Sequence, residues 1–135
     1  MEMISNEEKI TQAVLVSVDT GDYDAEASLA ELKELVKSAG AEPVFTVTQN
    51  LKRPETGTYV GTGKLQEIAD ICKQQEIDLL VFDCELSPTQ IRNIEAETDT
   101  RTIDRTMLIL DIFALRARSK EGKLQVELAQ LKYLM

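Results

Sequence analysis

The sequence predicts an α/β fold: a small four-stranded parallel sheet with helices on both faces, followed by a C-terminal helical arm. Two observations carry this reading. Short apolar runs rich in β-branched residues, around Val14, Val44, Leu80 and Ile103, alternate with segments whose apolar residues recur at helical spacing. Strands alternating with helices require right-handed crossovers and therefore a parallel sheet with helices on its faces. The second observation is the punctuation between the runs, where helix-capping residues and glycines fall at the expected joints.

Residues 1–9 are polar and are expected to be disordered. Ala13-Val14-Leu15-Val16 with Val18 reads as a buried first strand ending at Asp19. A loop from Thr20 to Tyr23 leads to a helix that Asp22 or Asp24 can cap, with Glu26 suited to its positive end. Leu29, Leu32, Val36 and Ala39 form the buried stripe of that helix, and Gly40 suits the position just past its end. Pro43 to Thr48 reads as a second strand. The connection from Gln49 to Gly63 is longer than is usual inside an α/β unit, so it is expected to be functional or mobile.

The helix that follows places Leu65, Ile68 and Cys72 on one face, and Ile77 to Phe82 is the third strand. Leu86-Ser87-Pro88-Thr89-Gln90-Ile91 is a complete helix start. Ser87 is the cap, Pro88 takes the first turn, Gln90 closes a capping box, and Leu86 is placed to pack on Ile91. Arg101 to Ile103 is a short fourth strand, and Asp104 caps a helix that is apolar almost all round from Met107 to Leu115, which predicts burial.

Two domain-level segments follow from this pattern: an α/β domain over 10–118 and the first part of a helical arm over 119–135. In the arm, Leu124, Leu128, Leu131 and Met135 share one stripe, suited to a coiled-coil seam or a partner helix. Leu110, Ala117, Leu124 and Leu131 also recur every seven residues, which suits one long helix with a weak joint near Ser119 to Gly122. The stripe reaches Met135 without a cap, as expected of a piece of a longer protein, and it is expected to self-associate or fray there.

At 135 residues the chain can build one real core. No apolar run is long enough to span a bilayer, and the N-terminus lacks a signal-peptide pattern. With no histidine, His-based triads and His metal sites are excluded. Cys72 and Cys84 are expected to be buried, reduced thiols. A net charge of −9 argues against nucleic-acid binding through bulk electrostatics, although local basic patches remain compatible with it.

Three constellations are candidates for chemistry. Gly57, Gly61, Gly63 and Lys64 precede a helix and suit a phosphate: glycines let backbone N–H groups approach, and the lysine adds charge. The pattern is not a P-loop, because Thr58 stands at its first glycine and Leu65 at its Ser/Thr; the plainer reading is a flexible turn with Thr62 as the helix cap. Asp19 and Asp83 end two strands at the carboxyl edge, where Mg²⁺ could bind, but carboxylates solvating strand ends explain them as well. No metal ligands are assigned. Arg101, Arg105, Arg116, Arg118, Lys120 and Lys123 form a basic cluster in an acidic chain, either a solvated face with local ion pairs or a contact for RNA phosphates.

The run from Ile103 to Arg118, with Glu121 to Leu131, resembles the N-terminal region of the HflX family of GTPases. Tyr59 to Lys64, and Glu85 to Gln90 with Arg92-Asn93, agree with the same family. The resemblance implies a cytoplasmic, translation-associated GTPase that binds the large ribosomal subunit and its RNA and splits stalled ribosomes. It also implies that a helical hairpin and a separate GTP-binding domain, using GTP and Mg²⁺, follow this α/β domain. Some members are credited with binding ATP through this region. Neither a phosphate loop nor a guanine-recognition motif is present in these residues, so GTP hydrolysis and a bound cofactor are not expected of them alone. The expected role is a ribosome-docking and regulatory module; an ATP-binding or regulatory domain without RNA contact, and a purely structural partner of the GTP-binding domain, are the alternatives.

Overall fold

Strand β1 (Thr11–Asp19) is the axis of the molecule, and both cores are built on its two sides. The computed structural model describes residues 9–116. The remaining elements are helix α1 (Ala25–Ser38), strand β2 (Ala41–Asn50), helix α2 (Thr62–Gln74), strand β3 (Leu79–Phe82), helix α3 (Pro88–Thr98), strand β4 (Arg101–Asp104) and helix α4 (Arg105–Arg116). The described residues form a four-stranded parallel sheet in the order β2-β1-β3-β4. The expectations for residues 1–8, and for the arm beyond Arg116, lie outside the described residues.

Side chains alternate across a strand, so β1 supplies two cores. Val14, Val16 and Val18 join Leu65, Ile68 and Cys72 of α2 and Ile94 of α3 on one face. Ala13 and Leu15 join Leu32 and Val36 of α1 and Leu108 and Ile112 of α4 on the other. Helices thus cover both faces, as the alternation of elements requires. The sheet reverses its direction of growth between β1 and β3, which puts the switch point of this open α/β sheet at the ends of those two strands.

Local signals explain the joints. Asp24 caps α1, its carboxylate accepting the Ala27 amide at 3.0 Å. Gly40 follows the helix at φ +88°, a conformation that costs a residue with a Cβ but not glycine. The capping box of α3 is complete: Ser87 Oγ accepts the Gln90 amide at 3.1 Å, and Gln90 Oε1 accepts the Ser87 amide at 2.9 Å.

Strand β2 is an edge and runs two residues further at each end than the expected Pro43 to Thr48. Its pairing with β1 slips between Ala13 and Val14: Ala13 faces Pro43, Val14 faces Phe45, and Val44 is the extra residue. Val44 and Phe45 are exposed.

The expected burial of α4 is corrected. Leu108 and Ile112 are buried, but Ile109, Leu110 and Phe113 are 40%, 38% and 51% exposed. Among the described residues, the helix rests on α1 and the sheet along one side, and composition cannot reveal which sides find cover.

Ser87→Ala should cost about 1 kcal/mol by removing the cap of α3. A lower urea midpoint at an unchanged slope of unfolding free energy on urea is the expected result.

Candidate functional site

The long connection between β2 and α2 is a folded loop, which corrects the expectation of a flexible turn. Glu55 and Tyr59 exchange backbone hydrogen bonds of 3.1 and 3.0 Å, closing its tip. Helix α3 then grips it: Gln90 Nε2 donates to the Thr56 carbonyl at 3.1 Å, and Asn93 Nδ2 donates to the Gly57 carbonyl at 2.9 Å. Gln90 therefore caps its own helix with its oxygen and holds the loop with its nitrogen. Val60 is buried, and Tyr59, at φ +68°, sets its ring edge-on to Phe82 with centroids 6.3 Å apart.

The glycine candidates are placed by this loop. Gly57 is held by Asn93, and the Gly61 amide donates to Gln49 Oε1 at 2.9 Å. A Cβ on Gly61 would come within 3.3 Å of the Gln49 side-chain amide, a tight contact that a small shift of that side chain would relieve. The helix cap is Gly61, not Thr62, and no side chain completes it. Gly63 has open space around it, and Lys64 Nζ pairs with Glu67 at 3.2 Å.

A second constellation is an ionic knot at the carboxyl ends of β3 and β4. Asp83 follows β3 and is buried; Arg105 opens α4 directly after β4. Arg105 Nη1 donates to Asp83 Oδ1 at 2.6 Å and reaches Ser28 Oγ at 3.4 Å, while Nη2 pairs with Glu31. One guanidinium thereby ties β3, α1 and α4 together. Asp104 works beside it, accepting the Leu86 amide at 2.9 Å and the Met107 amide at 3.0 Å. It caps α4 and fixes the approach to α3 at once.

Of the basic candidates, the three whose backbone is described, Arg101, Arg105 and Arg116, are spread along β4 and α4. Arg101 is exposed at the start of β4 and Arg105 follows its end, about 13 Å along a strand. Arg116 is the last residue of α4, about 16 Å further along a helix. Arg118, Lys120 and Lys123, like Leu124, Leu128, Leu131 and Met135, lie outside the described residues.

The carboxyl edge holds two unexplained polar atoms. Among the described residues, Ser17 Oγ and Asp83 Oδ2 are buried without a hydrogen-bond partner. Burial raises the pKa of Tyr23; the neighbouring Ser17 hydroxyl opposes the rise, and the Asp83 and Asp19 charges add to it. The Tyr23 hydroxyl donates to the Val18 carbonyl at 2.9 Å. Cys72 and Cys84 are free thiols; Cys72 is buried as expected, but Cys84 is only half-buried, which corrects its expected burial. Burial pushes the Cys84 thiol up to about 12; the Tyr59 hydroxyl opposes the rise and the Asp104, Asp83 and Glu85 charges reinforce it. Asp19 accepts the Gly21 amide at 2.9 Å. Among the described residues, no group of three or more His, Cys, Asp or Glu side chains is arranged to hold a metal ion.

The roles of Gln49, Gln90, Asn93 and Ser17 escape sequence reasoning. Gln90 carries a signal through its capping box, which concerns one helix alone, and Asn93 is marked only by the family resemblance.

Comparison with known proteins agrees with this geometry. The family described as GTP-binding GTPase N-terminal matches residues 26–114. Over 133 residues the chain is 53% identical to a GTPase HflX of Lacrimispora saccharolytica, covering 98% of this chain and 31% of that protein. Over 124 residues it is 52% identical to the GTPase HflX of Escherichia coli, covering 91% of this chain and 29% of that protein. A GTP-binding protein from the hyperthermophilic archaeon Sulfolobus solfataricus, solved in complex with GDP, has a similar structure at a TM-score of 0.63 and 33% identity, with 92% of this chain and 37% of that one covered. The chain therefore spans under a third of the length of these two curated relatives.

Arg105→Met should strand the buried Asp83 carboxylate and cost about 3–5 kcal/mol in urea unfolding. Adding Asp83→Leu should recover most of the loss; a single-variant cost below about 1 kcal/mol would mean that water already solvates Asp83. Cys84 should react with iodoacetamide at pH 8 about a thousandfold more slowly than a free thiol, because so little of it is thiolate. Its alkylation, followed by mass spectrometry, should accelerate on unfolding in urea.

Proposed function

The chain belongs to the GTP-binding GTPase N-terminal family, and from that membership we propose that it is the docking and regulatory module of a GTPase that binds the large ribosomal subunit and splits stalled ribosomes. GTP and Mg²⁺ belong to a separate domain of the same protein. This module supplies contacts to ribosomal RNA and sets the direction in which the arm leaves it. The observation that carries this reading is the family match over residues 26–114, together with identity of about half to two GTPases named HflX.

The groups that the fold employs internally hold the scaffold, which leaves docking contacts to other residues. Asp83 and Arg105 neutralise each other, Asp104 accepts two backbone amides, and the Gly61 amide is taken by Gln49. The knot at Arg105 anchors the first turn of α4 to β3 and α1, so the helix leaves the sheet in a defined direction. A first turn of α4 held in this way does not have to be ordered again when the protein docks.

Replacing Arg101, Arg116, Arg118, Lys120 and Lys123 with alanine in the full-length protein tests the RNA contact. Arg105 stays in place because it holds Asp83. Affinity for the large subunit, measured against salt, should fall, and each lost phosphate contact should shrink the salt slope by about 0.7–0.9. An unchanged slope would remove these residues from the RNA footprint.

A further inference from the structure

The loop over residues 51–61, between β2 and α2, is held more firmly than a simple connection requires. Gln90 and Asn93 fix the Thr56 and Gly57 carbonyls, Gln49 accepts the Gly61 amide, and Glu55 and Tyr59 pair their backbones. Tyr59 stands at φ +68°, in the left-handed region that residues with a Cβ rarely adopt. Long ordered loops, and non-glycine residues held in that region, concentrate at binding sites. The side chains of Lys52, Arg53, Pro54, Glu55 and Thr56 are consecutive and exposed. Neither Lys52 nor Arg53 has an ion-pair partner among the described residues. Pro54 fixes its own φ and restricts Arg53 to extended backbone, so the two cations sit on a stiff stretch.

The chemistry of this stretch selects among partners. Among the described residues, the large apolar side chains that stand exposed, such as Val44, Phe45 and Phe113, all lie outside the loop. It therefore lacks the buried aromatic and aliphatic anchors on which protein interfaces centre. A small anion is disfavoured as well, because the cavity of about 370 Å³ beside Lys52 is also lined by Asp19, whose carboxylate would oppose it. Two adjacent cations, with one carboxylate at Glu55 and the exposed Thr56 after it, suit the spaced phosphates of a polymer.

We propose that Lys52 and Arg53 contact RNA phosphates, presented by the loop as a preformed unit; this rests on the docking reading above and adds a second point of contact, on the loop after β2. The test uses the full-length protein and isolated large ribosomal subunits, with affinity measured against salt. Lys52→Ala combined with Arg53→Ala should lower the salt slope by about 1.4–1.8, at about 0.7–0.9 for each lost contact. Lys33→Ala combined with Lys73→Ala removes the same charge from exposed positions on α1 and α2, and it should leave the slope unchanged. Equal falls for the two double variants would reduce the effect to net charge and overturn the proposal. A wild-type slope in the loop variant would overturn it too, with the docking reading intact. Failure of the wild-type protein to bind the subunit would remove the docking reading and this inference together.

Discussion

Burying the Asp83 carboxylate is the constraint on which the rest of this structure depends. A carboxylate taken out of water is expensive unless a cation and hydrogen bonds accompany it. Here a single guanidinium provides most of that compensation, and it comes from the first residue of the helix that leaves the sheet. Arg105 also reaches Glu31 and Ser28 on α1, so the charge balance of β3 is inseparable from the seating of α1 and α4. Asp104, one residue earlier, accepts amides from both sides of the same junction. The end of the sheet is thus one connected network, although Asp83 Oδ2 has no partner among the described residues, and the direction of the first turn of α4 follows from it.

The glycine-containing loop obeys the same logic with neutral groups. Its apolar contacts are few, from Leu51, Tyr59 and Val60, so much of its order comes from side-chain amides on neighbouring elements. Gln49 takes the Gly61 amide, while Gln90 and Asn93 take carbonyls at the other end. Two stretches that agree with the HflX family, Tyr59 to Lys64 and Glu85 to Asn93, are thereby parts of one interlocked unit.

What was legible in the sequence was what depends on near neighbours. The Ser87 to Gln90 box, the Asp24 cap, Gly40 and the buried stripes of α1 and α2 are each specified within a few residues, and each is present. The four parallel strands followed from the rhythm of those pieces. Arg105 was different: its partners lie 22 and 74 residues away, so the sequence displayed only its charge and its kinship with other basic residues. The loop looked mobile for the same reason, its holders standing 34 to 36 residues downstream. The outer side of α4 looked buried because composition reports how apolar a helix is, not whether anything lies over it.

The slip between β1 and β2 has a consequence for life at high concentration. A long, regular border strand is a template on which further copies can stack into fibres. Val44 interrupts the regular pleat of that border, and Pro43 beside it has no amide hydrogen to offer. The outermost strand is therefore bent and chemically incomplete where it is greasiest, at Val44 and Phe45, and a one-residue irregularity guards the molecule against polymerising along its own sheet.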